Sequence, residues 1–245
     1  MSVINDINDV ENEIISKYRA MPVWEKIRSM SRKELSGLLL KNYMYSAQFP
    51  DIVETALKHS ASREAKTAIQ HIDYEENNPK EHVRMHQETL IACGLDIPDQ
   101  IPYGKLPVID KLVSKSLMYS KPSNEKEELA MLCFFRIGAE ILAGELYRTL
   151  REVVPEKFGI SENDIEFITL HEEHDRKTTD LGIMPPEVKD IRDSHGNYPH
   201  ADHFNTAITE LVRRIGEDAY HLAKTAYDDA FSLRKAYIEY IADLQ

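Results

Sequence analysis

Three stretches of this 245-residue chain place ionisable side chains where helical periodicity wants apolar ones. The first surrounds Glu140. Between 129 and 143 only Arg136 and Glu140 are charged, and the stripe Leu132, Cys133, Arg136, Ala139, Glu140, Ala143, Tyr147 runs straight through the glutamate. A buried carboxylate is costly unless something compensates it. Two compensations fit: an i,i+4 ion pair with Arg136, or a metal ion bridged by the carboxylate. The second stretch is Leu170-His-Glu-Glu-His-Asp175, where the stripe Phe167, Ile168 continues into His171, His174, Asp175 and Thr178. Residues three and four apart share a helical face, so His171 and Asp175 can address one centre. Imidazole plus carboxylate suits a borderline or redox-active metal. The same residues also fit the solvated end of a helix, as Glu172, Glu173 and Arg176 do.

The third stretch pairs Glu75 with His82. An unbroken helix would put them on one face but about 10 Å apart, too far for one ion. Asn77-Asn78-Pro79 lies between them, and a break there could fold the two side chains together. His86, one turn beyond His82, reads as a surface residue.

The elements that must carry these groups are helices. Residues 10–30 form a helical pattern interrupted near Pro22, and Ser31-Arg-Lys-Glu34 has the form of a capping box opening the next helix. Pro50 should kink that helix. Helices are expected over 62–77, with Ala65, Ala68, Ile69, Ile72 and Glu75 on one side, and over 80–94, closed by Gly94. A proline-rich loop spans 97–107. Further helices cover 108–119, then 124–154 after Pro122-Ser-Asn124, then a helix capped by Ser161-Glu-Asn-Asp164 that reaches 181. The stretch 182–199 reads as a loop or lid over the site. A long final helix over 200–244 buries Phe204, Ile208, Leu211, Ile215, Ala219 and Leu222. No alternating strand pattern, repeat or low-complexity tract interrupts the series. The expected fold is all-α, a single bundle domain of about eight helices over 1–245.

Composition narrows the function. A net charge of −12 disfavours phosphate backbones and anionic membrane surfaces, so neither nucleic acid nor membrane is an expected partner. The two cysteines, Cys93 and Cys133, sit inside apolar patterns and read as buried thiols. The acidic amphipathic start is unlike a signal peptide, and no apolar run is long enough to cross a bilayer. A cytoplasmic location follows as the expectation. A small-molecule substrate is the expected partner, and a homodimer stays open.

Together the three segments resemble the haem-oxygenase-like dimetal oxidases, which include proteins similar to the chlamydial death-domain-associating protein. Tyr74-Glu75-Glu76…His82 with Cys93-Gly94-Leu95, Ala139-Glu140 with Tyr147, and His171-Glu-Glu-His-Asp175-Arg-Lys-Thr178 look like that family's three motifs, spread over roughly 43–182. The resemblance implies a haem-oxygenase-like fold and two iron ions that use dioxygen to oxidise a small, amino-acid-like metabolite. It also implies that Glu75 and His82 hold one ion, His171 and Asp175 the other, and that Glu140 bridges. The chain departs from the pattern at Thr178, where the family has a histidine. The second iron is therefore expected to be labile, with His174 a substitute ligand and His195, His200 and His203 exposed alternatives. A cofactorless oxidase of the same fold and a non-enzymatic binding protein on this scaffold are the rival readings. Relatives that degrade thiamine are disfavoured, since neither cysteine sits where a nucleophile would.

Overall fold

The structure, a computed structural model, describes residues 3–77, 81–98, 105–175, 183 and 200–243. All regular elements among them are helical. The chain opens with α1 (Val3–Arg19), α2 (Val23–Ser29) and α3 (Arg32–Ser46). The Ser31 hydroxyl accepts from the Glu34 amide while the Glu34 carboxylate accepts from the Ser31 amide, so the capping box starts α3 as expected. Pro50 lies in the first turn of a separate helix, α4 (Phe49–His59), where a missing N–H costs nothing. Next come α5 (Arg63–Asn77), α6 (His82–Ala92) and α7 (Pro107–Tyr119). The start of α5 is held from a distance: the buried Glu128 carboxylate accepts from the backbone amides of Ala61 and Ser62.

Asn124 caps α8 (Glu125–Phe135) by accepting from the Glu127 amide. The chain then runs through a π-helical turn, Arg136–Ile141, into α9 (Leu142–Phe158). Ser161 opens a short 3-10 turn leading to α10 (Glu166–Asp175). The expected extension of that helix to 181, and nearly all of the 182–199 lid, lie outside the described residues. The final helix expected over 200–244 is two helices, α11 (His200–Ile215) and α12 (Asp218–Ala242). The break falls at Gly216, whose φ of +77° only glycine adopts without strain. Of the residues expected to be buried there, Phe204, Ile208, Leu211 and Ala219 are, whereas Ile215 and Leu222 flank the break and are only partly covered.

The long helix α12 lies against α1, α3, α7, α8 and the π-helical turn, while α10 packs between α9 and α6 and α11 packs on α5 and α8. Buried apolar side chains from all these helices join one cluster. The close approach of α12 to the π-helical turn needs Gly138: a Cβ there would sit 3.1 Å from the Ala230 Cβ.

Candidate metal centre

Four helical segments meet around one cavity. From α5 and α6 it takes Glu76 and His82, from the π-helical turn Glu140, and from α10 His171 and Asp175. All five are buried. Donor atoms of Glu76, His82 and His171 lie within 4.8 Å of one another, close enough for one ion to meet all three. The break between α5 and α6 does what the spacing of its residues suggested, bringing a Glu76 carboxylate oxygen to 3.2 Å from the His82 Nδ1. The glutamate it delivers is Glu76. Glu75, one residue earlier and about 100° round the helix, faces α11 and meets the His203 Nε2 at 3.2 Å.

The surroundings fix His171 and Glu140 among these candidate ligands. His171 Nδ1 donates to the Phe167 carbonyl at 2.7 Å, which fixes the ring and presents Nε2 outward, the arrangement usual for metal-binding imidazoles. The His82 and His171 rings lie 4.7 Å apart, and Tyr147 packs on His171 at 4.9 Å. Burial pushes the Tyr147 phenol well above its ordinary range, so it stays protonated. Glu140 sits on a π-helical turn, a distortion that widens the helix and often marks functional sites.

Arg136 does not serve as the ion-pair partner for Glu140. Its Nε meets Glu11 at 2.7 Å, and Nη1 reaches the Ala201 carbonyl and, at 2.9 Å, the Asn205 side chain. Among the predicted substitutes, His174 is buried on α10 but is not among the cavity's lining residues. His203 is nearly covered beside Glu75 and is stacked on His71, contrary to the expectation of exposure. Thr178 and His195 lie outside the described residues, as does the side chain of His200. His86 is buried too: Ser46 Oγ meets its Nδ1 at 2.7 Å, and its ring stacks on Phe167. The expected surface role fails because α3, α6 and α10 close over it.

Around the ligands the lining is mostly apolar and aromatic, with Asn42, Tyr45 and Arg234 on the α3 and α12 side. Inside, the cavity is tight, with about 30 Å³ of free space for water-sized groups. Two imidazoles and a carboxylate at one point, with further carboxylates beside them, suit ferrous iron better than a hard cation such as magnesium. The thiols are poor nucleophiles. Burial pushes Cys93 up to about 11 and Cys133 higher still.

The chain belongs to a family described as iron-containing redox enzymes, whose model matches residues 36–179. Solved structures agree on the fold. A domain of unknown function with a haem-oxygenase-like fold from Shewanella denitrificans is 10% identical, with 97% of this chain and 89% of that one covered and a TM-score of 0.62. A TenA homolog from Pseudomonas syringae pv. tomato is 11% identical, with 99% and 91% covered and a TM-score of 0.66. At such identities the likeness speaks for the fold alone. No curated protein matches the chain. Among the described residues, no helix is long and apolar enough to cross a membrane.

Proposed function

We propose that this chain is a non-haem iron oxidase that binds two iron ions, uses dioxygen as co-substrate and oxidises a small, amino-acid-like metabolite. The observation that carries the reading is the convergence of Glu76, His82 and His171 within 4.8 Å in a cavity also lined by Glu140 and Asp175. Glu76 and His82 would hold one ion, His171 and Asp175 the other, with Glu140 between them. Glu76 takes the place assigned to Glu75 by sequence. Bound ferrous iron would supply the electrons for reducing dioxygen. The chain's own part is positional. The Phe167 carbonyl keeps His171 in one tautomer, and the buried apolar lining limits water. The protonated Tyr147 phenol stands beside His171 as a hydrogen-bond donor. Kinship with the chlamydial branch of the superfamily belongs to this proposal as well.

Thr178 makes the second ion the weaker one, since a hydroxyl replaces an imidazole poorly. The test is anaerobic loading with ferrous iron followed by counting bound metal. One tightly held ion and a second lost on desalting are expected, with Thr178→His retaining both. Loaded protein should consume dioxygen. If neither form binds iron, the reading fails, and a cofactorless oxidase or a binding protein replaces it.

A further inference from the structure

Among the described residues two arginines are buried, and they are treated differently. Arg136, 1% exposed, has the Glu11 carboxylate as its counter-ion. Arg234, 4% exposed on α12, has none. Its Nε donates to the Gly138 carbonyl and its Nη2 to the Tyr45 hydroxyl at 3.4 Å. Its guanidinium carbon lies over the Tyr45 ring at 4.7 Å and near the Tyr237 ring at 5.5 Å. These partners are a carbonyl, a phenol and two aromatic faces; none is a carboxylate. Guanidinium stays protonated in proteins, and a buried cation without an anion is costly. Arg234 also lines the cavity of the candidate metal centre and comes to it from α12.

We propose that Arg234 is the anchor for a carboxylate on the substrate, so that the cavity is built for small monocarboxylates held with their acid group on the α12 wall. The inference rests on the metal reading in one respect: bound cations offset Glu76, Glu140 and Asp175, so an anion is not repelled. The guanidinium of Arg234 is already oriented, with its Nε and Nη2 engaged. The Gly138 carbonyl takes Nε, and the two tyrosine faces hold the guanidinium plane, which leaves the Nη1 donors for a planar carboxylate. Asn42 adds a second donor on that wall: its Oδ1 accepts from Tyr237 while its buried Nδ2 has no hydrogen-bond partner, and Ser46 is bonded to His86. The rest of the lining, including Phe49, Val83, Ala139 and Leu146, is apolar and asks for an uncharged remainder.

The test is calorimetric titration of the full chain, metal-free and loaded with redox-inert zinc, using hexanoate and its uncharged isostere hexanamide. In at least one form the parent should bind hexanoate about tenfold or more tighter than the amide, the scale of charge-assisted bonds. Arg234→Gln should bring hexanoate down to the amide level without changing zinc stoichiometry or melting temperature by more than a few degrees. Arg234→Lys should fall between, since it keeps charge but loses the planar group that Gly138 and the tyrosines hold in place. If the parent fails to discriminate acid from amide in both forms, the anchor is refuted. A folded Arg234→Gln that binds hexanoate like the parent refutes it equally. Should Arg234→Gln not fold, the acid–amide comparison in the parent and the Arg234→Lys variant decide. Zinc binding without carboxylate preference sinks the anchor and leaves the metal centre. Carboxylate preference without zinc binding does the reverse.

Discussion

Glu76 and Glu75 are chemically identical neighbours, and only their rotation about α5 separates them. The apolar face Ala65, Ala68, Ile69, Ile72 continues one turn later into either position, because 75 is i+3 and 76 is i+4 from Ile72. Periodicity therefore led to this turn without choosing between them; the choice is made by α11, which offers His203 to Glu75. Glu76→Gln should weaken iron binding at least tenfold, whereas Glu75→Gln should leave iron stoichiometry near that of the parent. Equal losses in metal counts would show that the wrong glutamate has been assigned. His86 was misread for a related reason. Its cover comes from Tyr43, Ser46 and Phe167, residues distant in sequence that no local pattern connects to it. Burial pushes its imidazole down from 6.5 to about 3. The unfolded chain therefore binds this proton where the folded one does not, so stability present above pH 6.5 is lost as pH falls toward 3, by up to about 1.4 kcal/mol per unit. His86→Phe keeps a ring against Phe167 and removes the titration. Its denaturant stability should decline less steeply than the parent's between pH 6 and pH 4, and superimposable slopes would contradict the assignment.

Most helix boundaries follow from single residues that the chain displays openly. Ser31 and Asn124 cap α3 and α8, and Gly94 and Gly159 adopt positive φ where α6 and α9 end. Gly216 gave the same signal, but the apolar spacing on its two sides matched well enough to suggest one helix over 200–244. The π-helical turn at Arg136–Ile141 was not legible at all, since an extra residue in a helix leaves the residue types unchanged. Its position is set by packing. Gly138 lets α12 come close, and Arg234 on α12 binds the Gly138 carbonyl. This contact couples the element that carries Glu140 to the element that carries the proposed carboxylate anchor. Valine at 138 would push branched carbons into the Ala230 Cβ, which can move only with the α12 backbone. Gly138→Val should cost about 2–3 kcal/mol, the usual range for overpacking a core. The measurement is a urea midpoint, with an unchanged midpoint ruling the close-contact argument out.

At the scale of the whole molecule, the buried pair Glu11–Arg136 ties together parts of the chain that are far apart in sequence. Glu11 comes from α1 and is fully buried; it accepts from Arg136 on the π-helical turn and from the Tyr227 hydroxyl on α12 at 3.0 Å. Arg136 in turn holds the first turn of α11 through the Ala201 carbonyl and Asn205. None of this was visible beforehand. The acidic start reads only as amphipathic, and Arg136 has Glu140 as a plausible partner four residues away. Long-range pairing won because Arg136 and Glu140 share a helix whose register the π-helical turn alters. Removing one partner strands the other charge in a dry interior, which typically costs about 3–5 kcal/mol. Glu11→Leu and Arg136→Met should each show a loss of that order in equilibrium unfolding. The double variant strands neither charge, so its loss should be well below the sum of the two, giving a favourable coupling of about 2 kcal/mol or more. The network grips the turn that also carries Glu140, so iron loading separates anchoring of the centre from mere stability. If the network positions the centre, the double variant should regain most of the parent's stability yet still load less iron. Additive stability losses would show that the two residues act independently, and full iron loading in the double variant would confine the network to holding the fold.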